Sequence, residues 1–128
     1  MNEWVNQIKD IKPYIGFVYE VIELDTGKIY IGIKRYWKSL KLKPLKGKKR
    51  KRKQIKESDW RTYNSSNKEI QEKIKKNPDN YHKLIIRNCE SITELKAYEA
   101  FYQLEYYVNG KWEELYNECV NLRLRIRK

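Results

Sequence analysis

Phe17-Val18-Tyr19-Glu20-Val21-Ile22-Glu23-Leu24, then Asp25-Thr26-Gly27, then Lys28-Ile29-Tyr30-Ile31-Gly32-Ile33 is the stretch from which the rest of the chain can be read. Both flanks are rich in β-branched and aromatic residues, as strands are. The centre supplies turn chemistry: Gly27 tolerates positive φ, and Asp25 can close the turn with its side chain. Two antiparallel strands are therefore expected over Phe17 to Leu24 and Lys28 to Ile33. With strands of this length, the phenols of Tyr19 and Tyr30, eleven residues apart, can share one sheet face and address a common reactant.

Working outward, the charge changes abruptly at Lys34. The 128-residue chain carries a net charge of +12, and Lys34 to Arg61 holds 14 Lys or Arg against Glu57 and Asp59, a net of +12; the other 15 basic and 15 acidic residues cancel. One segment thus holds the whole imbalance, and a polyanionic partner follows from it. Within it, Pro44, Gly47 and the tract Lys46-Gly47-Lys48-Lys49-Arg50-Lys51-Arg52-Lys53 form a self-repelling run that cannot be buried, so a basic inserted loop is expected at about 38–58. Tyr36 and Trp37 before it, and Trp60 and Tyr63 after it, are expected to pin its ends.

Ser66-Asn67-Lys68-Glu69 has the form of a capping box, in which hydroxyl and carboxylate satisfy first-turn amides. It predicts a helix from Asn67 to Lys76, stopped by Asn77-Pro78. Lys83 to Arg87 reads as a buried central strand. Ser91-Ile92-Thr93-Glu94 repeats the capping box before a long helix from Ile92 to Val108. Val120, Leu122, Leu124 and Ile126 alternate with Asn121, Arg123, Arg125 and Arg127, the pattern of a strand with a basic outer face. The expected fold is α+β: a small antiparallel β-sheet, made of the N-terminal hairpin, a central strand and a C-terminal strand, flanked by helices. The length implies a single domain over residues 1–128.

Cys89 and Cys119 lack zinc-site spacing and the density of a disulfide scaffold, which suits reduced thiols and a cytoplasmic protein. No apolar run approaches the ~18 residues of a membrane span, so no membrane partner is expected. No Ser/His/Asp or Cys/His nucleophile set and no Gly-rich phosphate loop is present. Glu99 falls on the stripe of the long helix that should face the sheet, with Ile92, Leu95 and Tyr106. A carboxylate there is costly unless compensated, either by a divalent cation or by a lysine such as Lys96.

The hairpin tripeptides resemble those of the GIY-YIG nuclease superfamily, in its phage-type, homing-endonuclease-like form. Phe17 stands where the first tripeptide normally has Gly, while Gly16 precedes it and Tyr19 keeps its spacing to Tyr30. Asp59 to Ser66 looks like the aromatic and serine-rich lead-in to the first helix, and the basic tract looks like an inserted loop of a phage subgroup. The resemblance covers about Ile15 to Arg125. It implies a metal-dependent DNA endonuclease acting on double-stranded DNA in the host cytoplasm, with Mg2+ or Mn2+ held by Glu99 and the site completed by Asn117. It also implies that Lys34 sits near the scissile phosphate, with an arginine as clamp. Leu40 occupies the usual arginine position, leaving Arg35, Arg50, Arg52 and Arg61 as alternatives.

Tyr19 or Tyr30, with Lys34 and the basic segment favouring its ionised form, is expected to act as base towards water. Lys46, Lys48, Lys49, Arg50, Lys51, Arg52, Arg61, Tyr63, Ser65 and Ser66 are the expected nucleic-acid contacts. Two other classes compete. One is a non-catalytic nucleic-acid-binding protein on the same fold; the other is a basic structural protein of a ribonucleoprotein particle, which leaves Glu99 unexplained.

Overall fold

The computed structural model describes residues 3–50 and 52–117. The expected C-terminal strand, with Arg123, Arg125 and Arg127, lies outside the described residues, as do Cys119 and Lys51. The described elements are β1 (Trp4–Val5), β2 (Gly16–Glu23), β3 (Ile29–Arg35), β4 (Trp37–Leu42), β5 (Arg52–Glu57), α1 (Lys68–Lys76), β6 (Tyr81–Cys89) and α2 (Ile92–Val108). The α+β expectation holds. The main sheet has the order β1-β6-β2-β3, and β1 runs parallel to β6, so the sheet is mixed and its fourth described strand is N-terminal. No helix among the described residues is long and apolar enough to cross a membrane.

The hairpin forms as the sequence predicts, with Tyr19 opposite Gly32 and Val21 opposite Tyr30. Gly27 takes φ 75°, the left-handed conformation the turn requires. Thr26, not Asp25, supplies the closing side chain: its hydroxyl donates to Glu23 Oε1 at 2.6 Å and accepts from the Lys28 N–H at 3.3 Å. Threonine reaches both partners, whereas the Asp25 backbone is drawn away to Asn80 Oδ1 at 3.1 Å.

β2 is buried on both faces because the sheet is covered twice. Phe17, Tyr19 and Val21 point into a cluster with Trp4, Tyr36, Trp60, Ile70 and Ile74, beneath α1 and the segment leading to it. Val18, Ile31, Cys89 and Leu95 form a second cluster under α2. The alternation of β2 and β3 therefore divides the molecule into an α1 face and an α2 face. Tyr19 and Tyr30 share the α1 face.

Two local expectations change. The cap of α1 is Asn67, whose Oδ1 accepts from the Glu69 and Ile70 amides at 2.9 and 3.3 Å. Ser66 is thereby released from capping. The basic segment is also not an open loop: β4 and β5 pair antiparallel over six residues each, as a separate two-stranded ribbon. Charge repulsion forbids burial but not backbone pairing, and the aromatic anchors hold the base of the ribbon. Tyr36 and Trp60 are fully buried and meet edge to face at 4.9 Å, while Trp37 Nε1 donates to the Tyr14 carbonyl at 2.9 Å.

Candidate active site

The segment 59–66 folds back over the α1 face and brings its polar groups onto the two hairpin phenols. Trp60 anchors it, its indole donating to Glu57 Oε1 at 2.8 Å while its carbonyl accepts from Trp4 Nε1 at 2.7 Å. Lys83 completes the anchorage. Its Nζ donates to the Tyr63 carbonyl at 2.8 Å and to Asn64 Oδ1 at 3.1 Å, and lies 4.7 Å from the centre of the Trp4 ring. Burial without a facing carboxylate lowers the Lys83 pKa to about 8. Its role escaped the sequence reading, although Tyr81, Lys83 and Ile85 share the buried phase of β6.

Once anchored, the segment joins the tyrosines through one residue. The Ser66 N–H donates to Tyr19 Oη at 3.2 Å, and Ser66 Oγ lies 2.7 Å from Tyr30 Oη. The Tyr19 ring centre lies 6.2 Å from those of both Tyr30 and Tyr63. Tyr19 is fully buried while Tyr30 is half-buried. Burial, with Tyr63 and Tyr30 adding to it, drives the Tyr19 phenol far above the ordinary tyrosine range. This reverses the expected ionisation of Tyr19, because no cation reaches its oxygen to offset lost hydration. The exposed end of the phenol pair is Tyr30.

Gly32 explains its place in the second tripeptide. A Cβ there would stand 2.5 Å from Tyr19 Oη, so the phenol crosses the opposite strand where a side chain is missing. Lys34 lies two residues further along the same face. Its Nζ donates to Asp59 Oδ1 at 2.8 Å and sits 4.2 Å from the centre of the Tyr63 ring. That hydrogen bond holds the Asp59 carboxyl below its ordinary range. Ser65 is buried, and its Oγ accepts from the Asn67 N–H at 3.1 Å.

Glu99 approaches from the other side. Leu95 packs at Gly16, the β3 partner of which is Arg35, and Gln103 Nε2 donates to the Ile31 carbonyl at 3.2 Å. One helical turn from each, Glu99 lies against the stretch of β3 between Ile31 and Arg35. It is half-buried, burial raises its pKa, and among the described residues it makes no ion pair or hydrogen bond, with Lys96 or any other group. No group of three His, Cys, Asp or Glu suited to a metal occurs among the described residues. Glu99 thus presents a single carboxylate whose charged form burial disfavours.

Asn117 occupies a different position from the one expected. Its Oδ1 accepts from the Ile31 N–H at 3.0 Å and its Nδ2 donates to the Ile31 carbonyl at 2.8 Å. The amide mimics a strand and extends the short parallel contact of Leu115 with Ile29. Both of its polar atoms are thus committed to the β3 backbone. The candidate arginines are scattered: Arg35 is exposed at the end of β3, Arg61 stacks on Trp60 at 4.4 Å and meets Glu57 at 3.2 Å, Arg52 opens β5, and Arg50 lies in the connection between β4 and β5.

A family model described as "Putative endonuclease segE, GIY-YIG domain" matches residues 2–120. Searches of curated proteins and of solved structures find no match. A match that spans nearly the whole chain shows that the chain belongs to the GIY-YIG nuclease superfamily.

Proposed function

We propose that the protein is a metal-dependent DNA endonuclease whose reacting phenol is Tyr30. The observation that supports this most is the asymmetry of the phenol pair: Ser66 holds both, but Tyr19 is sealed in the core and Tyr30 reaches solvent. Tyr30 acts as the base that takes the proton of a water aligned with the scissile phosphorus. Tyr19 is a positioning residue, since its buried ring and the Ser66 amide fix Ser66 Oγ against Tyr30. Lys34, steered by Asp59 and the Tyr63 face, presents positive charge to a non-bridging phosphate oxygen.

Glu99 is the residue that would hold Mg2+ or Mn2+. Such an ion supplies charge neutralisation to the phosphate and to the departing 3′ oxygen. Gln103 and Asn117 steady this arrangement by fixing Ile31, so that β3 keeps its place between Glu99 and Tyr30. Double-stranded DNA is the proposed substrate, and the basic ribbon brings it to the site. Purified protein, supercoiled plasmid and Mg2+, with Tyr30→Phe and Glu99→Gln beside the native chain, form the test. Nicked or linear product from the native chain alone supports the reading, and undiminished cutting by both variants refutes it.

A further inference from the structure

The ribbon is built in a way that folding alone does not explain. Lys38 stands opposite Lys56 and Lys41 opposite Lys53, directly across the two strands. Like charges so placed destabilise a sheet, and an isolated two-stranded hairpin is marginal even without them. Every residue of β5 is exposed, and Ile55 leaves 74% of its surface in water. A polyanion lying along the strands would relieve the repulsion.

Size selects which part of the polyanion. Six residues per strand give a ribbon about 20 Å long with its strands about 5 Å apart. A two-stranded ribbon enters the major groove of B-form DNA, about 12 Å wide, and not the minor groove, about 6 Å wide. The two faces of the ribbon also differ. Trp37 and Glu57 open one face and are tied to the domain through Tyr14 and Trp60. The other face carries Lys38 and Lys56, Leu40 and Gln54, then Leu42 and Arg52. Gln54 and Arg52 are exposed, and neither side chain forms a hydrogen bond or ion pair among the described residues. Glutamine can pair in bidentate fashion with adenine and arginine with guanine.

We infer that the β4–β5 ribbon lies in the major groove of duplex DNA and reads base edges through Gln54 and Arg52, giving this small nuclease its own sequence preference. The inference rests on the nuclease reading for its choice of substrate. Lys38 and Lys56 flank the reading pair and meet phosphates, while Lys48, Lys49 and Arg50 extend the phosphate neutralisation at the tip. An A-form RNA duplex has a major groove too deep and narrow for side chains to read, so DNA is specified over RNA.

The test is footprinting of the full-length protein in EDTA on a DNA duplex selected from a random pool. Dimethyl sulfate reports guanine N7 in the major groove and adenine N3 in the minor groove. Protection of guanine N7 over about 6 base pairs is expected from the ribbon's length. In Arg52→Ala and Gln54→Ala, preference for the selected sequence over a scrambled one should fall about 10-fold for each bidentate base pairing removed. The combined Lys48→Ser, Lys49→Ser and Arg50→Ser variant should instead weaken binding to all duplexes alike. It should also flatten the slope of log affinity against log salt by about 0.9 for each phosphate no longer neutralised.

Thermal unfolding of each variant verifies folding, and a variant that melts early is replaced by Arg52→Lys or Gln54→Glu, which keep the strand and change the fork. Protection of adenine N3 in place of guanine N7 would overturn the inference. So would a backbone footprint with no base protection, or equal variant effects on an RNA duplex. Plasmid cutting is read separately: a native chain that cuts DNA without guanine N7 protection loses the ribbon assignment and keeps the nuclease one.

Discussion

Replacing Gly32 with alanine inserts one methyl group at the crossing of the two hairpin strands. Its carbon would lie 2.5 Å from Tyr19 Oη and 2.7 Å from Cζ, whereas an ordinary van der Waals approach begins near about 3.5 Å. The phenol must therefore move by about 1 Å. It has no room to do so, with Trp4 at 5.1 Å and Phe17 at 6.1 Å between ring centres and its oxygen held by Ser66. Overpacking of this kind costs about 1–3 kcal/mol. For a chain of 128 residues that corresponds to a fall in Tm of about 4–12 °C. Activity should fall further than stability, by about 10²-fold, because Ser66 transmits the displacement to Tyr30 and a misplacement of about 1 Å has that effect on rate. Differential scanning calorimetry and plasmid cutting at a temperature well below either Tm separate the two effects. In a Tyr19→Phe background the added methyl should cost less, though not nothing, since Cζ remains in the way. A Gly32→Ala protein with native Tm and native rate would refute the close crossing as the reason for glycine there.

Tyr30→Phe should lower the cleavage rate by about 10²-fold or more with an unchanged Tm, while Tyr19→Phe should cost about 1 kcal/mol in stability and less in rate; single-turnover kinetics and thermal melts give both numbers. Glu99→Gln removes a carboxylate whose charged form burial disfavours, so its Tm in EDTA at pH 7 should equal or exceed that of the native chain. The native chain should gain about 1.4 kcal/mol from Mg2+ at ten times its Kd and the Gln variant nothing, by calorimetry. Lys83, with its pKa lowered to about 8 against about 10.4 unfolded, binds its proton less tightly in the folded state. The unfolded chain holds more protons across that window, so folding stability contributed by Lys83 should rise from pH 8 to 10.4 and lie lowest below it. Denaturant melts of the native chain and Lys83→Met should differ by that rise.

The hairpin was legible because its signals are local: β-branched strands, a Gly-bearing turn, and two tyrosines whose separation puts them on one face. The long helix was equally plain, and Ser91 caps it as the sequence predicts, accepting from the Glu94 amide at 3.1 Å. What eluded sequence reading depends on choices between near-equivalent neighbours. Asn67 caps α1 in preference to Ser66, and Thr26 closes the turn in preference to Asp25, because the fold, not the local pattern, decides which side chain is within reach. Backbone pairing in the ribbon was hidden by its charge, since repulsion between side chains says nothing about main-chain hydrogen bonds. The Asn117 clamp and the Lys83 anchor join residues 86 and 20 positions apart in sequence, which no spacing rule connects. The unequal burial of Tyr19 and Tyr30 has the same origin: Tyr19 stands on the central strand β2, packed by Trp4, Phe17 and Tyr63, and Tyr30 on β3 at the edge of the described sheet.

In the proposed reading, Glu99 and Tyr30, on opposite faces of one strand, serve a single phosphodiester cleavage. Its most direct test is single-turnover cutting of end-labelled duplex DNA at saturating protein, with and without Mg2+, for the native chain and the two single variants. Mg2+-dependent cleavage by the native chain is predicted, with losses of about 10²-fold or more in Tyr30→Phe and Glu99→Gln while duplex binding is retained. A native chain that saturates the duplex yet leaves it intact in Mg2+ and in Mn2+ would contradict that claim and identify a binding protein on a nuclease fold.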